Sequence, residues 1–307
     1  MIHENTILHF KNGYEDLLQF YPIEHPVVCQ LGGNNLERLG KCVEICQNMG
    51  YDEINLNVGC PSPKVQEGSF GACLMKRPEI VSEITKTMCS HSKIPITVKC
   101  RLGVDDLDSY EFTSKFIQEV SKIGGVKHFI LHARKAFLKG LNPAENRNVP
   151  PLRYDWVLQL KKDFPHLEFT INGGFKEIDK IQEILKETNQ LKGCMIGRLS
   201  YDNPWILSDF DRVFYNKPNP RLSRREILEI WGQYGDFVME KNKLIKPPTL
   251  VKPVINLFAG EKSNAKYRQF LGDPQNFKNN AKFSDTILSC LEMYEEINKE
   301  ALDKKPA

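Results

Sequence analysis

Short aliphatic and β-branched runs alternate along the first two thirds of the chain with longer stretches whose apolar positions recur every three or four residues. Val27–Leu31, Glu53–Asn57, Ile96–Lys99, His128–Leu131, Glu168–Ile171 and Gly193–Ile196 predict strands. Leu36–Met49, Pro78–Cys89, Ser109–Ile123, Trp156–Phe164 and Ile178–Lys186 carry the helical period between them. Such a β-α-β-α order builds a parallel sheet with helices outside it. Almost every predicted strand ends at or beside a polar or glycine residue: Gln30, Asn57, Lys99, His132, Asn172, Gly197. A doubly wound sheet concentrates its ligand groups at one switch point. Functional ends on successive strands instead suit a (β/α)8 barrel of the TIM type, whose chemistry sits at the carboxyl ends of the strands. Six strands are clear and Met1–Leu8 is a poor seventh, so the barrel is expected to be N-terminally incomplete.

The pattern changes at Asn216-Lys217-Pro218-Asn219-Pro220, where prolines and asparagines mark a boundary. Beyond it the strands cease, and Arg224–Tyr234, Leu250–Phe258, Ala265–Leu271 and Phe283–Ile297 all read as helices. The expected organisation is a barrel over 1–217, a small helical domain over 221–302 and a tail over 303–307. Net charge is only +3, but Arg221 to Lys282 holds 12 Lys or Arg against 6 Asp or Glu, which makes the helical domain a basic strip.

No run approaches the eighteen or so apolar residues of a membrane helix, and Met1-Ile2-His3-Glu4 has neither the basic start nor the apolar stretch of a secretory signal. The nine cysteines are odd in number and scattered. Cys42 and Cys46 lie one helical turn apart without a histidine or second pair to complete a metal site, so no metal is expected. Free thiols in a reducing compartment place the protein in the cytoplasm.

The chemistry concentrates after the second clear strand. Ile54-Asn55-Leu56-Asn57-Val58-Gly59-Cys60-Pro61 ends in a Gly-Cys-Pro turn, and Gly68-Ser69-Phe70-Gly71-Ala72-Cys73-Leu74-Met75 presents a second cysteine behind a glycine-flanked loop. Packed thiols are commoner than catalytic ones, yet the loop and the strand end make Cys73 the leading catalytic candidate. Cys60 reads as structural. Lys99 meets the pocket at a strand end, either solvated at the rim or paired to an anion, and pairing is the expectation. Asn172-Gly173-Gly174 alone is a tight-turn signal. With Gly197-Arg198 one unit later it reads as a phosphate cradle built from backbone N–H groups and one guanidinium. Arg134, Lys135, Lys139 and Arg147 crowd the loop after the His128–Leu131 strand. Asp105, Asp106 and Asp108 read as a helix start and cap.

Gln30-Leu31-Gly32-Gly33, both cysteine segments, Thr97-Val98-Lys99, His132-Ala133-Arg134-Lys135, Asn172-Gly173-Gly174 and Gly197-Arg198 stand in one order that resembles the flavin-dependent tRNA-dihydrouridine synthases, most closely the DusA branch. The resemblance runs from about Met1 to about Leu271. It implies an FMN-binding barrel that reduces uridine to 5,6-dihydrouridine in the tRNA D-loop, at positions 20 and 20a, with NADPH as reductant. By the same resemblance Cys73 protonates C5 of the base, and Gln30, Lys99, His132, Asn172, Gly173, Gly174, Gly197 and Arg198 hold FMN. Arg134, Lys135, Arg147, Lys266 and Arg268 would grip the D-arm. In that family a strand ending in an Ala-Pro-Met-like turn, and a helix, precede the unit at which this chain opens. A monomer is expected. The alternatives are a relative that holds tRNA without flavin turnover and a flavin barrel acting on a small molecule; the latter leaves the basic helices unexplained.

Overall fold

The computed structural model describes residues 1–11, 13–188, 190–278 and 280–306. They fall into two compact units, Met1–Met195 and Ile196–Ala307.

The first unit is built on a seven-stranded, all-parallel sheet in sequential order: β1 (Ile2–His3), β2 (Val28–Gly32), β3 (Glu53–Val58), β4 (Ile96–Arg101), β5 (His128–His132), β6 (Glu168–Asn172) and β7 (Gly193–Met195). Helices Leu36–Asn48, Pro78–Ser90, Tyr110–Lys122, Tyr154–Asp163 and Ile178–Thr188 connect successive strands from β2 to β7. This is the TIM-type alternation, with seven strands in place of eight and no pairing of β7 with β1 among the described residues. The poor strand candidate at the start is real but only two residues long, pairing Ile2 with Leu31 and His3 with Gly32 before the chain turns into a short helix at Glu4.

Central strands are buried on both faces, as a covered parallel sheet requires. Ile54, Leu56 and Val58 of β3 and Val98 and Cys100 of β4 are fully buried. Between them Asn55, Asn57 and Thr97 put polar groups where a barrel core is normally aliphatic. Helix starts follow local capping chemistry. Asn35 accepts from the Arg38 N–H at 2.9 Å, and Ser109 from the Phe112 N–H at 3.1 Å. Ser109 is therefore the cap that Asp105, Asp106 and Asp108 were expected to provide. Asp105 instead adopts a left-handed φ of +51° and binds Lys76 at 2.6 Å, while Asp108 binds Lys135 at 2.5 Å.

The second unit is helical. Its long helices are Arg224–Lys241, opened by a Ser223–Glu226 capping box, and Phe283–Asp303. They enclose a core of Leu228, Phe258, Tyr267, Ile287, Leu291 and Tyr294. The helix expected over Leu250–Phe258 covers only Pro247–Val251 and gives way to turns. Pro253 has no N–H to bond back to Thr249, so the α ladder stops there. The tail expected over 303–307 begins at the last helical residue, Asp303; position 307 lies outside the described residues. No helix among the described residues is long and apolar enough to cross a membrane.

Candidate active site

The carboxyl ends of β2 to β6 and the following loops surround a cavity of about 290 Å³. Gln30, Lys99, His132 and Asn172, each expected at the site from its strand-end position, line it together. The β3 end supplies Asn57, Gly59 and Cys60. Arg101 and Arg147 complete a cationic wall. A second cavity of about 490 Å³ lies among the inward-facing side chains of β2 to β7 and shares Gln30, Lys99 and Met195 with the first.

Lys99 is part-buried and donates to Asn172 Oδ1 at 3.0 Å. Asn172 in turn donates to the Met195 carbonyl at 2.7 Å. Burial, and then the neighbouring Arg101 charge, lower the Lys99 ammonium from 10.5 to about 8. Arg101 is buried and donates to the carbonyls of Gly59, Lys135 and Asn146 at 2.8–3.0 Å, so it ties three loops to the end of β4. Burial brings its guanidinium down to about 10. Among the described residues no carboxylate lies within ion-pair distance of either cation. Within the protein the partner of Lys99 is thus an amide. Two desolvated charges facing one cavity favour an anionic or electron-rich guest.

His132 is buried at the end of β5, beside the glycines of β6. Gly173 has φ of +113°, and a Cβ there would stand 2.6 Å from His132 Cδ2. Gly174, at φ +76°, would drive a Cβ to 2.5 Å from Leu152. Both positions demand glycine, for left-handed backbone and for room beside the imidazole. Gly197 and Arg198 belong to the second unit, where Gly197 caps the helix Arg198–Asp202.

The cysteines exchange the places that the sequence suggested. Cys60 lines the cavity, whereas Cys73 is not on its wall. Cys73 sits in the 3-10 turn Gly71–Lys76, its thiol directed to the Phe70 carbonyl at 2.9 Å, and burial raises its pKa. The two segments touch through the Ala72 N–H, which donates to the Cys60 carbonyl at 2.9 Å. Gly71 allows that approach, since a Cβ there would meet the same carbonyl at 2.7 Å.

The basic loop after β5 is internally tied. Arg134 donates to the Pro150 carbonyl, and Lys135 binds Asp108 and the Asp105 carbonyl. Arg147 reaches the cavity wall. Lys266 and Arg268 are exposed on the helix Asn264–Gly272 of the second unit. No group of three or more His, Cys, Asp or Glu able to hold a metal occurs among the described residues. Arg101 and Cys60 are reactive or charged wall residues that sequence reading did not assign to the site, and Asn57 was marked only as a polar strand end. The period-two spacing of Lys99 with Arg101, and of Asn55 with Asn57, was the available signal.

Strand ends that carry a desolvated cationic wall, an imidazole, amides and a thiol form a site suited to an electron-rich guest. The chain matches the dihydrouridine synthase (Dus) family over residues 1–292 and belongs to that family of flavin-dependent oxidoreductases. It is 42% identical over 273 residues to the tRNA-dihydrouridine(20/20a) synthase of Pasteurella multocida, covering 89% of this chain and 81% of that one. It is 47% identical over 229 residues to that of Vibrio vulnificus, covering 75% and 68%. It is 43% identical over 273 residues to that of Synechocystis sp., covering 89% and 79%.

Proposed function

We propose that the chain reduces uridine to 5,6-dihydrouridine in the tRNA D-loop, at positions 20 and 20a, with FMN resident in the barrel, NADPH as reductant and the cytoplasm as its compartment. The observation that carries this reading is the cavity wall of Lys99, Arg101, His132 and Cys60 in a chain of this family. The residues fit a flavin: Lys99 and His132 suit its electron-rich pyrimidine edge, Gln30 and Asn172 offer amides, and the left-handed backbone of Gly173 and Gly174 suits a phosphate. From their sequence pattern, Gly197 and Arg198 are also proposed to bind phosphate. When bound, the flavin supplies a hydride for C6 of the base.

The protein supplies the proton. A thiol on the cavity wall can reach a guest base, so Cys60 gives its proton to C5 and is left as thiolate. Arg101 and Lys99 stabilise that thiolate until solvent reprotonates it. Cys73, the residue singled out from sequence, is the rival donor; its thiol would first have to leave the Phe70 carbonyl. A base in folded RNA must be extruded before it can enter such a cavity. Arg147 at the wall, Arg134 and Lys135 in the tied loop, and the exposed Lys266 and Arg268 are the cations proposed to hold the D-arm phosphates.

The test is to supply purified protein with FMN, NADPH and tRNA lacking dihydrouridine, and to map the product. Reduction at 20 and 20a, abolished in Cys60→Ala and retained in Cys73→Ala, is the expected result. Full activity in Cys60→Ala would remove the proton-donor assignment. One other reading rests on the lack of β7–β1 pairing among the described residues. A colourless protein that binds tRNA without turning over NADPH would make this chain a tRNA-binding relative.

A further inference from the structure

One hydrogen-bond chain runs up the barrel interior from the floor to the cavity. Thr97 Oγ1 donates to Glu53 Oε1 at 2.6 Å, and Asn55 Nδ2 donates to Thr97 Oγ1 at 2.8 Å. Gln30 Nε2 donates to Asn55 Oδ1 at 2.8 Å, and Asn57 Nδ2 to Gln30 Oε1 at 3.0 Å. Asn57 Oδ1 then accepts from the backbone N–H groups of Gly59 and Cys60 at 3.1 and 3.0 Å. Thr97, Asn55 and Asn57 are buried, and Glu53 lines the interior cavity.

The two ends of this chain fix its direction. A carboxylate can only accept and a backbone N–H can only donate. Reversing any amide between them would set donor against donor or acceptor against acceptor. Glu53 thus makes Thr97 a donor, Thr97 makes Asn55 present its oxygen to Gln30, and Gln30 makes Asn57 present its oxygen to the Gly-Cys turn. At this end of the interior His128 pairs with Thr170 Oγ1 at 2.9 Å; burial lowers its pKa, and the charges of Glu53, Glu168 and Lys192 also act on it.

We infer that Glu53, at the opposite end of β3 from the cavity, is a positioning residue: through Thr97 and Asn55 its carboxylate sets the amide orientation of Gln30 and Asn57 and so holds the backbone turn that carries Cys60. This deepens the reading above, on which the importance of Cys60 rests. The chain has a length of four side-chain links, and each link is satisfied only if the one before it is. It also explains why a barrel interior that could be aliphatic is polar along this one line.

The experiment needs neither flavin nor tRNA, so it stands or falls separately from the proposed activity. Cys60 alkylation by iodoacetamide is followed by peptide mass spectrometry, alongside side-chain amide NMR of Gln30 and Asn57 and thermal unfolding. Glu53→Leu and Thr97→Val break the chain with little change in volume; Glu53→Gln and Thr97→Ser keep an acceptor or hydroxyl in place. The two breaking variants are expected to change the Cys60 rate about tenfold and to shift or broaden both amide signals, with the conservative pair within about twofold of wild type. Wild-type Cys60 reactivity in folded Thr97→Val would overturn the proposal, and so would Glu53→Gln behaving like Glu53→Leu. Should the breaking variants not fold, the unmodified protein still decides. The side-chain NH2 protons of Asn55 and Gln30 must then exchange with solvent far more slowly than those of exposed amides; equal rates would overturn the proposal.

Discussion

Replacing Lys99 by methionine should make the free protein more stable while weakening its hold on any anionic guest. In the folded chain the ammonium titrates near 8 against an ordinary 10.5, because burial and the Arg101 charge disfavour the cation. That difference corresponds to about 3 kcal/mol by which the charged form is disfavoured on folding. At pH 7 the lysine is protonated in both states, so the penalty is carried in full. Between pH 8 and 10.5 the unfolded chain binds a proton that the folded chain has released, so stability rises with pH across this window. Methionine removes the penalty and the slope together. It also removes the bond to Asn172 Oδ1, which takes back about 1–2 kcal/mol. The expected net gain at pH 7 is about 1–2 kcal/mol, fading towards pH 10. Urea unfolding of the two proteins from pH 7 to 10 measures it. The difference between them isolates Lys99 from other titrating groups, such as the thiol of Cys100 and that of Cys194, each held up to about 12 by burial. A Lys99→Met protein less stable at pH 7, or a difference that does not change with pH, would refute the reasoning. Flavin retention falling at least tenfold in the same variant would tie the stored penalty to binding.

Gly173→Ala should push His132 out of place, given φ of +113° and a Cβ 2.6 Å from its ring, and lower flavin retention in a spectrophotometric titration more than Lys266→Ala does. Arg224 is fully buried, bonds to the carbonyls of Leu257 and Ala301, pairs with Glu261 at 2.9 Å and stacks 4.0 Å from the Trp205 ring. Arg224→Ala should therefore destabilise the helical unit by about 3–5 kcal/mol in thermal unfolding, and Arg224→Lys should not restore it. Burial raises the Cys100, Cys194 and Cys290 thiols to about 12. At pH 8 in the native state these should react with a disulfide reagent far more slowly than Cys60, and unfolding should equalise the rates. Arg101→Met should leave β4 in place but loosen the loops at Gly59, Lys135 and Asn146, seen as faster amide exchange there and lower tRNA reduction.

Periodicity carried the architecture because alternation of short apolar runs with amphipathic stretches has few folded solutions. Strand ends fell within a residue or two of their expected places, as with Glu53–Val58 and His128–His132. The cavity wall was legible where a polar residue closed an apolar strand, as with Lys99, His132 and Asn172, while Gln30 was singled out mainly by the family resemblance. It was not legible where loop geometry decides. Cys60 and Cys73 both follow glycines near the end of β3. Only the fold shows that the Gly-Cys-Pro turn stays against the barrel mouth while the Gly71 turn bends the second thiol to the Phe70 carbonyl. The aspartates after β4 misled for a related reason. They have cap-forming side chains, but Lys76 and Lys135 arrive from other segments and claim them, leaving the cap to Ser109.

The same logic locates function within the barrel. Local rules favour an aliphatic interior, and β3 and β4 obey them at Ile54, Leu56, Val58, Val98 and Cys100. They break the rule at Asn55, Asn57, Thr97, Lys99 and Arg101, all on the opposite face of the same two strands. Departures from a consistent pattern concentrate at functional sites, because nothing in folding alone rewards them. Those five residues divide into two devices that meet at the cavity. Thr97, Asn55 and Asn57, in the line that starts at Glu53, are satisfied within the protein and so confer order. The β4 pair, Lys99 and Arg101, has no carboxylate partner among the described residues, which suits the proposed electron-rich guest. The proposed function, in which the site receives a flat, electron-rich ring and protonates a base, needs both, and the two strands provide them side by side in register, Asn57 opposite Lys99.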